Sequence, residues 1–256
     1  MKDLVIIVCL YNKKIKEMKN YNSFNEDVYF FDNSTDQDII FENSVDKKCV
    51  PMHGNKGLSY AYNCAIKKFM NEYQYIMLLD DDSKLDDDFF CILRKKIELF
   101  PEVNMFLPKI INSKNGKLMY PKKMRDNVLL NVLPFKSNRT LKSINSGTII
   151  KLCSDTLMYD EELFLYSTDF EYIKRVVNSQ KYKCIESQLF QEFSIDDLNI
   201  DNVSNRFALE IRDSKKYYSK FNFYTNYMCL AIVYGIRIKS IKGIFLIFKE
   251  AVRGKL

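Results

Sequence analysis

Histidine is almost missing from this chain: His53 is the sole one in 256 residues, and tryptophan is absent altogether. A single histidine argues against hydrolases that need a Ser–His or Cys–His pair. The seven cysteines, Cys9, Cys49, Cys64, Cys91, Cys153, Cys184 and Cys229, form no Cys-x-x-Cys pair, and several sit inside apolar runs. They are expected as buried free thiols of a reducing compartment. Nowhere do 18 apolar residues run together, which argues against a membrane-spanning helix. Met1-Lys2-Asp3 and the short run from Leu4 to Leu10 lack a basic leader and a small-residue cleavage site, so a first strand is expected there and not a signal peptide.

What is present suits a globular α/β chain. The sequence is 47% hydrophobic and 28% charged, with 19 Phe and 17 Tyr, and its length allows one large domain plus an appendage. The net charge of +6 is unevenly placed. From Cys229 onward Arg237, Lys239, Lys242, Lys249, Arg253 and Lys255 face only Glu250. That local excess favours contact between the tail and a membrane surface or other anionic partner over nucleic-acid binding by the whole chain.

The most informative stretch is Tyr75-Ile76-Met77-Leu78-Leu79-Asp80-Asp81-Asp82, an unbroken apolar run that ends in three carboxylates. A run without polar alternation fits a strand buried on both faces of a parallel sheet. Its carboxyl end opens onto the edge where open α/β sheets bind ligands, so three Asp there point to a cation or a nucleotide. The same edge is expected to receive Tyr11-Asn12, after a strand at Leu4 to Cys9, and Asp32-Asn33-Ser34, after a strand at Val28 to Phe31.

Cys49 to Met52 reads as a short strand with Pro51 near an edge or end. Asn55-Lys56-Gly57 opens a helix in which Leu58, Ala61, Tyr62, Ala65, Ile66 and Phe69 share one face. The free N–H groups of such a helix start are a ready phosphate seat. Asp86, Asp87 and Asp88 are expected to cap the following helix. An EF-hand counted from Asp80 fails, because Leu85 and Cys91 hold its glycine and terminal glutamate positions. Val103 to Ile111 is apolar but interrupted by Pro108, and Asn115-Gly116 marks a hairpin or mobile loop in the Lys-rich stretch from Asn112 to Arg139. Ile144 to Ile150 and Tyr182 to Ile185 read as further strands, and Glu171 and Arg175 should pair along a helix. At the end, Ile241, Ile244, Phe245, Phe248 and Val252 oppose Lys242, Lys249 and Arg253 on a helical wheel, which suits either an amphipathic helix on a membrane surface or a C-terminal helix packed on the domain.

Taken together, these residues resemble the family 2 glycosyltransferases, and most closely their bacterial rhamnosyltransferase-like branch. Five blocks carry the resemblance in order: Tyr11-Asn12; Asp32-Asn33-Ser34; Asn55-x-Gly57-x-x-x-Ala61-x-Asn63; the Asp80-Asp81-Asp82 triplet in the place of an Asp-x-Asp motif; and Phe164-x-x-x-x-Asp169-x-Glu171-x-x-x-Arg175. A sixth, Tyr217-Tyr218-x-x-x-Asn222, departs from the family with Phe221 where an Arg is usual. The resemblance implies an α/β GT-A fold, a Rossmann-like, mostly parallel sheet flanked by helices, over residues 1–200. Residues 201–256 are expected as a helical C-terminal appendage with a basic amphipathic tail.

The resemblance also implies a division of labour. Asp32 would accept from the imide N–H of uracil or thymine, with Tyr11 beside the base, and Asn12, Asn33, Asn55, Gly57 and Asn63 would complete the donor site. Asp80 would face the ribose, Asp81 would act as a spacer, and Asp82 would bind the Mg²⁺ or Mn²⁺ that bridges the two phosphates. Asp169 matches the catalytic base. Where the family often has a metal-site histidine this chain has Gln191, followed by Glu192. The implied activity is inverting transfer from a dTDP- or UDP-sugar to a glycan or lipid-linked acceptor, cytoplasmic and peripheral at the membrane, without nucleic acid. Two other classes fit less well. A catalytically silent nucleotide-binding relative would not need both Asp82 and Asp169. A metal-dependent phosphohydrolase or nuclease would need more acids on the neighbouring strand ends.

Overall fold

The structure is a computed structural model that describes residues 1–18, 24–126, 139–193 and 200–238. In chain order the elements are β1 (Lys2–Leu10), β2 (Asp27–Asp32), α1 (Gln37–Ser44), β3 (Cys49–Pro51), α2 (Leu58–Phe69), β4 (Tyr73–Leu79), β5 (Lys84–Leu85), α3 (Phe89–Leu99) and β6 (Met105–Asn112). They continue with β7 (Leu118–Tyr120), β8 (Lys122–Met124), β9 (Thr140–Lys142), β10 (Ile149–Lys151), α4 (Thr168–Ser179), β11 (Tyr182–Gln191), α5 (Ile200–Tyr217) and α6 (Lys220–Ile238).

The main sheet runs β3-β2-β1-β4-β10-β6-β11-β5, with β7 added on β6. Strands β1 to β4 are mutually parallel where they pair, and β10 enters antiparallel between β4 and β6. Val5 to Val8 and Ile76 to Leu79 are fully buried, as the absence of polar alternation requires of strands covered on both faces. Helix α2 buries Ala61, Tyr62, Ala65, Ile66 and Phe69, the face that its periodicity marks. Pro51 lies on the edge strand β3, where a missing N–H costs no ladder bond.

Pro108 sits inside β6, flanked by partners on both sides. The register of β11 against β6 shifts between Cys184 and Gln188, opposite this proline. A residue with no N–H to donate is accommodated by such a bulge. The Asn115-Gly116 turn is observed as the β6–β7 hairpin, while the rest of that polar stretch from 127 to 138 lies outside the described residues. The tail helix expected around Ile241 to Val252 also lies outside them.

Three expectations are corrected. Ile144 to Thr148 is a loop and only Ile149–Lys151 forms β10. Here Gly147 adopts φ 79, and its N–H donates to Leu78 O at 2.7 Å. Asp88 precedes α3 without a side-chain capping bond; Asp86 Oδ2 instead accepts from Gln188 N at 3.2 Å, which ties this loop to β11. All seven cysteines are free as expected, but none is buried: Cys91 and Cys184 are exposed and the others half-buried.

The chain divides into two compact units. The first comprises Met1–Lys122, Ser143–Phe164 and Thr168–Glu192; the second comprises Lys123–Lys142, Leu165–Ser167 and the described residues from Phe193 on. In the second, Asp213 is fully buried and accepts from the Leu165 and Tyr166 N–H groups at 2.7 and 2.9 Å. Lys142 there pairs with Asp126 at 3.2 Å and lies over the rings of Tyr217 and Tyr218.

A side chain at Gly147 would collide with the packed core. A Cβ would stand 2.7 Å from Pro108 Cγ and 2.9 Å from Leu189 Cδ1, in a left-handed backbone. Gly147→Ala should therefore lower unfolding free energy by about 2–5 kcal/mol in denaturant titration, from backbone strain plus overpacking. Gly116→Ala, with φ 67 but open space around it, should cost only about 1–2 kcal/mol.

Candidate active site

Leu10 pairs with Asp32 and Val8 with Leu79, so residues 11–12, 33–35 and 80–82 all leave the sheet at one edge. Strands with no wet face cannot carry charge internally, and the first carboxylates therefore appear where the strands end. Asp80 and Asp81 are half-buried and Asp82 is exposed. Burial pushes the Asp80 carboxyl up to about 6, and the charges of Asp82 and Asp81 add to the effect. Asp82 is also raised, first by desolvation, then by Asp81, with Glu192 contributing. Lys13 offers partial relief, with Nζ 3.1 Å from Asp81 Oδ2.

A closed polar ring fixes Asp80. Its N–H donates to Ser146 Oγ at 3.1 Å, and the Ser146 and Ser83 hydroxyls are 2.7 Å apart. Ser83 Oγ donates to Gln191 Oε1 at 3.5 Å, and Gln191 Nε2 donates to Asp80 Oδ2 at 2.7 Å. The ring closes because β5 pairs antiparallel with β11 and draws the loop after β4 to the end of that strand. Gln191 thus serves Asp80 with both ends of its amide, while Glu192 pairs with Lys114 at 3.0 Å.

These groups fit a hard divalent cation. The donors are carboxylate oxygens under mutual repulsion, which a cation relieves, and oxygen ligands suit Mg²⁺ or Mn²⁺. Among the described residues no group of three His, Cys, Asp or Glu could hold an ion together. A cation at Asp82 would take most of its ligands from phosphates and water, as Mg²⁺ commonly does.

Beside the triplet, Asp32 is 2% exposed; Oδ1 accepts from Ser34 N and Oδ2 from Asn43 Nδ2, each at 3.0 Å. Each oxygen keeps a second lone pair. Tyr11 is 56% exposed next to this group, open to a stacking partner. Asn12, at φ 50, accepts from the N–H groups of Thr35 and Asp36 and so joins the ends of β1 and β2. Asn33 is buried and clamps the next loop, donating to Gly57 O and accepting from Lys56 N at 3.1 Å each. Asn55 Oδ1 accepts from Gly57 N at 3.1 Å.

The phosphate seat read at the start of α2 is closed at its first N–H, because Leu58 N donates to Phe164 O at 2.7 Å. Gly57 allows that approach: a Cβ would lie 2.6 Å from the same carbonyl oxygen. Asn63 is buried, with its amide engaged inside the scaffold. Its amide donates to Tyr159 O and Glu161 Oε1 and accepts from Tyr159 N. From there Tyr159 Oη donates to Asn145 Oδ1 at 2.8 Å, and Asn145 Nδ2 reaches Thr168 Oγ1 at 3.4 Å. A polar chain thus runs from α2 to the residue before Asp169.

Asp169 lies half-buried in the first turn of α4, with Oδ1 accepting from Phe170 N at 2.8 Å. Two turns of the helix are braced by Arg175, which pairs bidentately with Glu171 and donates to Met158 O at 2.8 Å. The charges of Asp169 and Asp80 both act on the buried phenol of Tyr62. One side chain of α2 therefore lies in the field of both carboxylates. Asp169 also acts on Tyr120, whose phenol burial pushes up to about 12 and whose ring lies 6.1 Å from that of Phe170. Ser83, Ser146, Tyr62 and Tyr120 escape a sequence reading of site residues. The only signal was small polar Ser146-Gly147 breaking an apolar run.

Residues 6–164 match the family described as glycosyl transferase family 2. That match ends before Asp169 and Gln191. Among solved structures, the 1–349 fragment of S. aureus TarS is similar to this chain with 18% identity and a TM-score of 0.53, covering 93% of this chain and 75% of that one. The same fragment in complex with UDP-GlcNAc gives 16% identity and a TM-score of 0.52, covering 83% and 66%. A longer TarS structure gives 19% and 0.52, covering 90% of this chain but only 42% of its own length. The likeness establishes the fold, a GT-A arrangement. No curated protein matches the chain.

The position of Asp80 sets a pH dependence. The folded chain takes up its proton near pH 6 and the unfolded chain near 3.8, so between these values the folded state binds more protons and stability falls as pH rises. Asp27 and Glu42, whose ion pairs lower their carboxyls, act in the opposite sense but only at more acidic pH. In the presence of EDTA, wild type should gain Tm relative to Asp80→Asn as pH is lowered from about 7 to about 5. Parallel curves for the two proteins would remove the desolvated carboxylate from this account.

Proposed function

The chain belongs to glycosyl transferase family 2, and from that premise we propose an inverting, metal-dependent enzyme of the rhamnosyltransferase-like kind. It moves rhamnose or a hexose from a UDP- or dTDP-linked donor to a hydroxyl of a bacterial cell-surface glycan or lipid-linked acceptor. The observation that carries the reading is the single sheet edge at which Tyr11-Asn12, Asp32-Asn33-Ser34 and Asp80-Asp81-Asp82 emerge together, all within the residues that match the family. The TarS fragment in complex with UDP-GlcNAc, on the same fold, favours a uracil nucleotide.

In this reading Asp32 accepts from the base imide and Tyr11 covers the base. Asp80, oriented by Gln191, takes the ribose hydroxyls. Asp82 would hold the divalent cation, which would supply Lewis-acid neutralisation of charge on the leaving diphosphate. Asp169 removes the acceptor hydroxyl proton as that oxygen attacks the anomeric carbon from the side opposite the diphosphate. One displacement inverts the centre, with no covalent intermediate. The protein works at the cytoplasmic face of the membrane, where the basic tail meets a lipid-linked acceptor.

Two substitutions separate these roles. Asp169→Asn should lower kcat about 10²–10⁴-fold, the usual contribution of a general base, while the thermal shift produced by UDP with Mn²⁺ stays unchanged. Full activity in that variant would refute the base. Asp82→Ala should abolish the Mn²⁺-dependent part of UDP binding in the same assay, and a shift equal to wild type would refute the metal role.

A further inference from the structure

Helix α6 is apolar on two opposite faces. Phe223 and Tyr227 are buried at 2% and 3% exposure. On the other side Phe221, Tyr224, Met228 and Ile232 are exposed by 69%, 48%, 48% and 51%. At 100° per residue these four fall within one narrow stripe, about 16 Å long by helix rise. Folding alone does not call for such a stripe, since scattered apolar residues are ordinary on a surface but an aligned set is not.

Charge identifies what covers it. From Ser214 to Lys249 the sequence carries seven Lys and Arg and no Asp or Glu. Three of them, Lys215, Lys216 and Lys220, are exposed where α5 turns into α6, at the head of the stripe. A second copy of the chain would bring like charges together. An anionic lipid surface accepts both the cations and the apolar side chains, and phenylalanine and tyrosine suit the boundary between headgroup and acyl chain. Among the described residues no helix is long and apolar enough to cross a membrane. We propose that the Phe221, Tyr224, Met228 and Ile232 face of α6 is a membrane-docking surface, on which the helix lies in the plane of an anionic leaflet. This deepens the membrane-side reading above by naming the surface, and it does not depend on the sugar transferred.

The test is co-sedimentation of the full chain with phosphatidylcholine vesicles, with and without phosphatidylglycerol. Wild type should bind the anionic vesicles and release them at high salt. The fourfold variant Phe221→Ser, Tyr224→Ser, Met228→Ser, Ile232→Ser should bind at least about tenfold more weakly. A fourfold change of the same positions to Leu should retain binding. Equal binding by wild type and the serine variant would overturn the proposal, as would failure of wild type to bind. So would a wild-type dimer in light scattering that the serine substitutions dissociate, since a second copy would then cover the face. The UDP thermal shift, measured on each variant, reports the enzyme reading separately, because it should persist whichever way the vesicle result falls.

Discussion

Three consecutive carboxylates at the end of a strand with no wet face repel one another in a place where water cannot fully screen them. Much of the first unit can be understood as managing that repulsion without removing it. Lys13 takes up part of the charge on Asp81. Gln191 gives Asp80 a hydrogen bond that favours the ionised form, yet burial still prevails and the carboxyl remains near 6. The residual repulsion is what a bound cation would relieve.

Holding such a group in place demands rigid neighbours, and the neighbours are rigid because they were built from small or fully bonded residues. Ser83 and Ser146 approach each other to 2.7 Å only because Gly147, without a side chain, lets the loop pass between Pro108 and Leu189. Gly57 does the same at the start of α2, where a Cβ would stand 2.6 Å from the Phe164 carbonyl oxygen. Asn33 and Asn63 have their amides engaged within the scaffold, the first to the loop before α2 and the second to Tyr159. These two asparagines act by position: Asn33 fixes the loop that enters α2, and Asn63 ties α2 to the Tyr159 segment.

What could be read from the sequence was whatever a local pattern encodes. Strand β4 declared itself by five apolar residues without alternation, and α2 by apolar residues at helical spacing from Leu58 to Phe69. The carboxylates at the strand end followed from these. What escaped was set by contacts across the chain. Gln191 reaches Asp80 through the β5–β11 pairing, which no window of sequence around either residue contains. The stretch from Ile144 to Thr148 has strand composition but is held as a loop by long-range backbone bonds to Leu78. Asp86 has the local signature of a helix cap, and a β11 N–H competes for it successfully.

The same contrast explains why α6 reads so differently from α2. In α2 the apolar residues of one face are buried, so composition and burial agree and the helix is accounted for by packing. In α6 the apolar set is wider than one buried face, and the structure satisfies only the Phe223 and Tyr227 side. Hydrophobic burial acts on all exposed apolar surface alike, so a second stripe that folding leaves in water is free energy still available for binding. The acid-free, cation-rich stretch around it selects among the surfaces that could collect that energy. An anionic bilayer is complementary on both counts, and a copy of the same chain on only one.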